Sequence, residues 1–146
     1  MAHYSFEKDI FDGQQAEREA IEKLKTYFSI TDDADFEICD TNEYDIRIVS
    51  KNLTFEVKND LMAAKTGNVA IEYESRGKNS GINATQADFL IYKFTGLFFL
   101  IKTETIKEEL FEKHNFFRNV TGGDTGSFTK MFLVKIEEFK NWGIEL

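Results

Sequence analysis

The segment Tyr44-Asp45-Ile46-Arg47-Ile48-Val49-Ser50-Lys51-Asn52-Leu53-Thr54-Phe55-Glu56-Val57-Lys58 contains two extended runs, residues 44–49 and 53–58, on either side of a Ser-Lys-Asn turn. Short apolar-alternating runs joined by three turn-forming residues spell a β-hairpin. In the second run Glu56 and Lys58 are two residues apart and project from one face of the strand, while Phe55 and Val57 project from the other. An antiparallel return brings Asp45 beside that pair. Two carboxylates and one ammonium on a half-buried strand edge suit a hard divalent cation plus a group that handles negative charge, the combination phosphodiester cleavage needs.

Working outward, residues 14–28 carry Ala16, Ala20, Ile21, Leu24, Tyr27 and Phe28 at helical spacing, which predicts an amphipathic helix starting after Asp12-Gly13. Asp32-Asp33-Ala34-Asp35 reads as an acidic turn without the remaining ligands or central glycine of a calcium loop. A short strand is expected over residues 36–39. After the hairpin, residues 61–65 read as a helical turn or loop. Gly67-Asn68 releases a third strand over 69–73, with Val69, Ile71 and Tyr73 on one face and Ala70, Glu72 and Glu74 on the other. If that strand pairs beside Glu56, Glu72 becomes a further ligand or a supporting group; otherwise it is an exposed strand carboxylate. Residues 75–81 form a basic, glycine-containing loop in which Arg76 and Lys78 could contact phosphate.

Asn83-Ala84-Thr85-Gln86 is a helix-start signal, and residues 85–93 are predicted helical with Ala87, Leu90 and Ile91 inward. Gln86 is then a polar group at the rim of the site or an ordinary surface residue. Residues 97–101 read as a strand buried on both faces, 102–114 as a charged helix, 128–134 as a final strand and 137–142 as a closing helix. Gly122-Gly123-Asp124-Thr125-Gly126 lacks the Gly-Lys-Ser/Thr ending of a P-loop and reads as a hairpin or flexible loop. His3 and His114 have no zinc-ligand spacing.

Asp, about ten intervening residues, then Glu-x-Lys resembles the core of the PD-(D/E)XK nucleases, a superfamily that includes restriction enzymes, archaeal Holliday-junction resolvases and phage recombination nucleases. Tyr44 stands at the position of the motif's proline, and the chain contains no proline. Gly13-Gln14-Gln15-Ala16-Glu17-Arg18 resembles the G-x-x-x-E-R that opens the first helix of the archaeal resolvases, and Gln86-Ala87 resembles the start of the family's helix after the catalytic strands. The match spans roughly residues 10–105. The resemblance implies an α/β, restriction-endonuclease-like core with a central mixed four- to five-stranded sheet flanked by helices. It also implies Mg²⁺, with Mn²⁺ able to substitute, held by Asp45, Glu56, the Val57 carbonyl and Glu17, with Glu72 in reach and Glu19 and Glu22 as fallbacks. Lys58 is the expected catalytic ammonium, and DNA the expected substrate of a homodimer. On residues alone Glu17 reads as a solvated carboxylate at the edge of the helix's buried face.

At 146 residues the chain makes one domain able to bury a real core, and 42% hydrophobic content with 15 phenylalanines excludes disorder. The single cysteine, Cys39, suits a reducing compartment and is expected to pack rather than react. With no signal-like N-terminus and no spanning apolar run, a soluble, cytoplasmic protein is expected. The net charge of -8 runs against a DNA-binding reading. Binding then requires the positive charges gathered locally, and Lys51, Lys58, Lys65, Arg76 and Lys78 fall in one stretch.

Overall fold

The computed structural model describes residues 6–39, 43–113, 118–122 and 128–146. Helix α1 spans Phe6–Phe28, eight residues earlier than the sequence predicts. It runs through Gly13, because one interior glycine costs only about 1 kcal/mol. Its buried face is Ala16, Ala20 and Leu24, at i, i+4 and i+8. A 3-10 turn at Asp33–Asp35 leads into β1, Phe36–Ile38. The acids of that turn are structural. Asp32 accepts from Ala34 N at 2.9 Å, Asp33 holds Lys25 at 2.6 Å, and Asp35 accepts from Ser50 N and Ser50 Oγ.

The hairpin forms, with a first strand shorter than the sequence predicts. Strands β2 (Ile46–Ile48) and β3 (Leu53–Asn59) pair antiparallel, Ile46 opposite Phe55 and Ile48 opposite Leu53. Helix α2 (Ala63–Thr66) ends at Gly67, whose φ of 76° suits glycine. Strands β4 (Asn68–Ser75) and β5 (Lys78–Asn79) form a tight hairpin turning at Arg76 and Gly77. A 3-10 turn at Gly81–Asn83 follows. Then come β6 (Phe89–Phe94), β7 (Leu97–Lys102), α3 (Thr103–Lys107), a π-helical turn (Glu108–Glu112), β8 (Arg118–Gly122), β9 (Thr129–Lys135), α4 (Ile136–Lys140) and β10 (Ile144–Glu145).

Two sheets result where one was expected. The first is six-stranded and mixed, in the order β1-β2-β3-β6-β7-β10; the second has four strands, β5-β4-β9-β8. The third strand of the sequence reading does not pair beside Glu56. The open edge of β3 is taken by β6, in parallel, with Glu56 opposite Leu90 and Lys58 opposite Tyr92. β4 pairs with β9 instead.

The segment predicted helical after Gln86 is the strand β6. The helix-start signal is consumed locally, since Ala87 N donates to Thr85 Oγ1 at 3.2 Å and closes a turn. Asp88 is then tied to β3: its N–H donates to Thr54 Oγ1 at 3.0 Å, and its carboxylate accepts from Thr54 N at 3.0 Å. Phe89 and Ile91 face one layer, Leu90, Tyr92 and Phe94 the other. A strand buried on both faces has no polar side to betray its period.

Helix α1 covers one face of the six-stranded sheet, packing Ala20 and Leu24 on Ile46, Ile48, Phe55, Ile91, Phe98 and Leu100. The other face packs Leu90, Tyr92, Phe94, Phe99 and Ile101 against Val69, Ile71 and Val134 of the second sheet, with Ile106, Leu110, Phe139 and Trp142 closing the layer. No described helix is long and apolar enough to cross a membrane. His3, His114 and residues 123–126 of the glycine-rich loop lie outside the described residues.

Candidate active site

The site begins where β2 leaves β3. Asp45 N donates to Phe55 O at 2.9 Å, the last rung before the strands part. The next N–H on that edge of β3 belongs to Val57, and the Asp45 carboxylate takes it at 2.7 Å. A donor that a departing strand would orphan is thereby satisfied. Because the N–H and C=O of one strand residue point to the same edge, the Val57 carbonyl is presented beside Asp45.

Glu56 and Lys58 project from the face of β3 that meets the second sheet. Their charged ends are 3.8 Å apart, with the Glu56 side chain 15% exposed and that of Lys58 41%. Glu56 Oε2 is buried without a hydrogen-bond partner. Leaving such an atom unsatisfied costs about 1–3 kcal/mol. Burial pushes the Glu56 carboxyl above its ordinary pKa; Lys58 pulls it down, Asp45 pushes it up, the Thr85 hydroxyl lowers it and Glu72 raises it. Asp45 is also raised, by burial first, against the lowering effects of the Val57 N–H and Lys58.

Glu56 and Lys58 open into a cleft of ≈ 440 Å³ whose other walls include Asp60, Ala70, Glu72, Gly81, Ile82 and Tyr92. The two sheets each supply one side. Glu72 therefore reaches the cleft from β4 without pairing beside β3. Burial raises the Tyr92 hydroxyl pKa strongly, and the surrounding Glu56, Asp60 and Glu72 add to it. The field in this cleft is negative, with Lys58 its one lining cation among the described residues.

Three contributors escape the sequence reading. Asp60 accepts from Met62 N and Ala63 N, each at 3.1 Å, and from Ala70 N at 2.9 Å, so its carboxylate is a strut joining α2 to β4. An acid just ahead of a short helix is the signal that could have shown it. Thr85 and Tyr92 are hidden by the false helix across their segment.

Other expected residues lie elsewhere. Glu17 is half-buried on α1, the helix covering the face of the sheet opposite Glu56, and it does not line the cleft. Glu19 binds Lys93 at 2.9 Å, and Glu22 is 3.6 Å from Lys25. Arg76 and Lys78 are exposed on the β4–β5 hairpin, and Lys65 is exposed in α2. Gln86 is exposed, donates its main-chain N–H to Glu43 O at 3.0 Å and borders a separate hollow with Asp88 and Thr103. Cys39 is half-buried, and its hydrogen bond to Tyr44 is the leading cause of a raised pKa for that phenol. Among the described residues no three His, Cys, Asp or Glu side chains converge closely enough to hold a metal ion.

The buried Glu56 carboxyl carries a pH signature. Its folded pKa is raised, so its stabilising contribution is complete below the ordinary glutamate value of about 4.3 and is lost as pH rises through the raised value. Glu56→Gln is expected to raise Tm at pH 7.5 in EDTA by about 2–4 °C, which corresponds to about 1 kcal/mol in a chain of this length. The gain should shrink toward zero near pH 4. A lower Tm for Glu56→Gln at pH 7.5 would contradict the desolvation account.

No family model matches the chain, and no curated protein or solved structure matches it either.

Proposed function

We propose that this chain is a divalent-cation-dependent endodeoxyribonuclease of the PD-(D/E)XK type. The observation that carries the reading is the unpartnered, buried Glu56 Oε2 beside Asp45 and Lys58 at the strand divergence. Such an atom destabilises a fold unless something at the site uses it. The donors fit Mg²⁺ or Mn²⁺, which accept one or two carboxylates and complete their shell with carbonyl oxygen and water. Asp45 and Glu56 would hold the ion, with the Val57 carbonyl at the same edge and Glu72 in electrostatic reach. Glu17 joins only through the family resemblance. When bound, the cation supplies Lewis-acid polarisation of a phosphoryl oxygen and a lower pKa for water.

The chain's own residues do the rest. Lys58 extends from the pair to the open side of the cleft and donates to oxygens on which charge grows. Asp45 keeps its orientation through the Val57 N–H. Arg76, Lys78 and Lys65 are exposed cations available to a longer stretch of DNA backbone. The substrate class follows the resolvase-like helix motif: branched or recombination DNA, cut by a homodimer in the cytoplasm. Linear or nicked duplex, as for restriction- or phage-type enzymes, is the rival within the class.

The test is cleavage in Mg²⁺ of a four-way junction, a flap, linear duplex and single strand by wild type and Lys58→Ala. The variant is expected to lose about 10²-fold in turnover while its Mg²⁺ affinity changes little. Symmetric cuts in the junction would support the resolvase branch, whereas cuts in linear duplex alone would move the role to restriction or phage processing. A second reading, a catalytically idle acidic partner or decoy, is favoured by the net charge of -8 and by the lack of a converged ligand trio among the described residues. Failure to cleave any of the four in Mg²⁺ or Mn²⁺, with no Tm response to either ion, would establish that reading instead.

A further inference from the structure

Leu61 and Met62 directly follow the strand that carries Glu56 and Lys58, and they are 57% and 56% exposed. Single exposed hydrophobics are ordinary, but two adjacent ones on a fixed loop are not. The loop is anchored through Asp60. Asp60 N donates to Lys93 O at 2.8 Å, and the Asp60 carboxylate accepts the main-chain N–H groups of Met62, Ala63 and Ala70. The two apolar side chains are therefore held out into solvent on a rigid support.

Their position is equally specific. Leu61 forms part of the wall of the ≈ 440 Å³ cleft that contains Glu56 and Lys58, and also of a second hollow of ≈ 320 Å³ lined by Gln15, Asn59 and Lys93. It stands as a ridge between them, with Met62 beside it in the larger cleft. Lys58 lies on the cleft side of the ridge. Lys65, whose N–H donates to Met62 O at 3.0 Å, lies one helical turn beyond it. Apolar tips flanked by ammonium groups match a nucleic-acid strand, where phosphates and base faces alternate. The amides of Gln15 and Asn59 in the second hollow have the donor and acceptor pair that base edges require.

We infer that Leu61 and Met62 are a wedge that enters DNA at an unpaired base, so that duplex containing such a base is the preferred substrate; this rests on the nuclease reading above. Inserting apolar side chains between stacked bases costs unstacking energy, least where a base is already unpaired. The negative cleft adds to the selectivity. An acidic wall weakens the phosphate attraction that would hold any duplex equally, which leaves stacking contacts to decide what stays bound. In this arrangement Leu61 fills the gap in the stack, and the displaced base turns into the hollow beside Asn59.

The test uses the full chain and a duplex with a one-nucleotide bulge carrying 2-aminopurine, compared with the fully paired duplex of the same sequence. Binding is followed by fluorescence in Ca²⁺ and cleavage in Mg²⁺. Wild type should bind and cut the bulged duplex about 10-fold better than the paired one, with a rise in 2-aminopurine emission. Leu61→Ser/Met62→Ser should lose both the preference and the emission rise. Leu61→Met should keep them, as should Ile144→Ser, which changes an exposed apolar residue on β10, three strands from β3 at the other edge of the sheet. Cleavage without preference, or a preference that survives in the double variant, would overturn the wedge and leave the nuclease reading standing. An emission rise lost in the double variant but unaccompanied by cleavage would support the wedge and remove the nuclease. No emission change and no cleavage would overturn both.

Discussion

Asp45→Ala is expected to abolish DNA cleavage, with a loss of more than about 10³-fold, and to remove any rise in Tm that Mg²⁺ produces in the wild type. Asp45 does two things at once. Its carboxylate is half of the proposed cation-holding pair, and it accepts the Val57 N–H at the point where β2 and β3 separate. Removing it leaves that donor unpaired at a strand edge and leaves Glu56 without its neighbouring charge. Asp45→Asn distinguishes the two contributions, since an amide oxygen still accepts from Val57 but brings no charge. Both variants should be inactive, and only Asp45→Ala should lose about 1 kcal/mol of stability in EDTA. Either variant cleaving within tenfold of wild type would remove Asp45 from the chemistry.

Gly81→Ala is expected to destabilise the fold by more than about 3 kcal/mol, lowering Tm by roughly 6–12 °C. Gly81 has a φ of 52°, and a Cβ there would collide with the carbonyl oxygen of Glu72, with the carbonyl carbon at 2.8 Å. That obstacle is backbone of β4, where Glu72 is paired with Met131 of β9 just before a β-bulge, and paired backbone yields less readily than a side chain. Gly77 provides the comparison. Its φ is 77°, but nothing lies within 4 Å of its missing Cβ, and Gly77→Ala should cost only about 1 kcal/mol. Because Gly81 and Glu72 share the cleft wall, Gly81→Ala should also lower activity in whatever fraction remains folded. Equal Tm values for the two variants would show that the close approach of Gly81 to β4 is not rigid.

The parts of this architecture that were legible are those with local signatures. The hairpin alternates apolar and polar residues around a turn, with Asn52 at a φ of 50° completing the bend. The face of α1 repeats at 3.6 residues. The juxtaposition of Asp45, Glu56 and Lys58 needed only period-2 geometry and an antiparallel return. What stayed hidden depends on distant partners. Residues 89–94 form a strand because a slot exists between β3 and β7, and nothing inside Phe-Leu-Ile-Tyr-Lys-Phe distinguishes that from a buried helix. Likewise β4 looks like a natural neighbour of β3, yet its partner is β9, far along the chain. The rank of Asp60 as a strut depends on three N–H groups from two elements, which no spacing rule reveals.

The cleft has one wall from each sheet, and this sets the order in which it can come into being. β3 is complete early in the chain, but the opposite wall, β4, is anchored along its length by β9, from Asn68 opposite Lys135 to Ser75 opposite Thr129. Pairing across so long a separation is entropically slow and waits for the later strand. Glu56 and Lys58 are thus made well before the wall that faces them can be held in place, and the cleft takes its final form only once β9 has paired with β4.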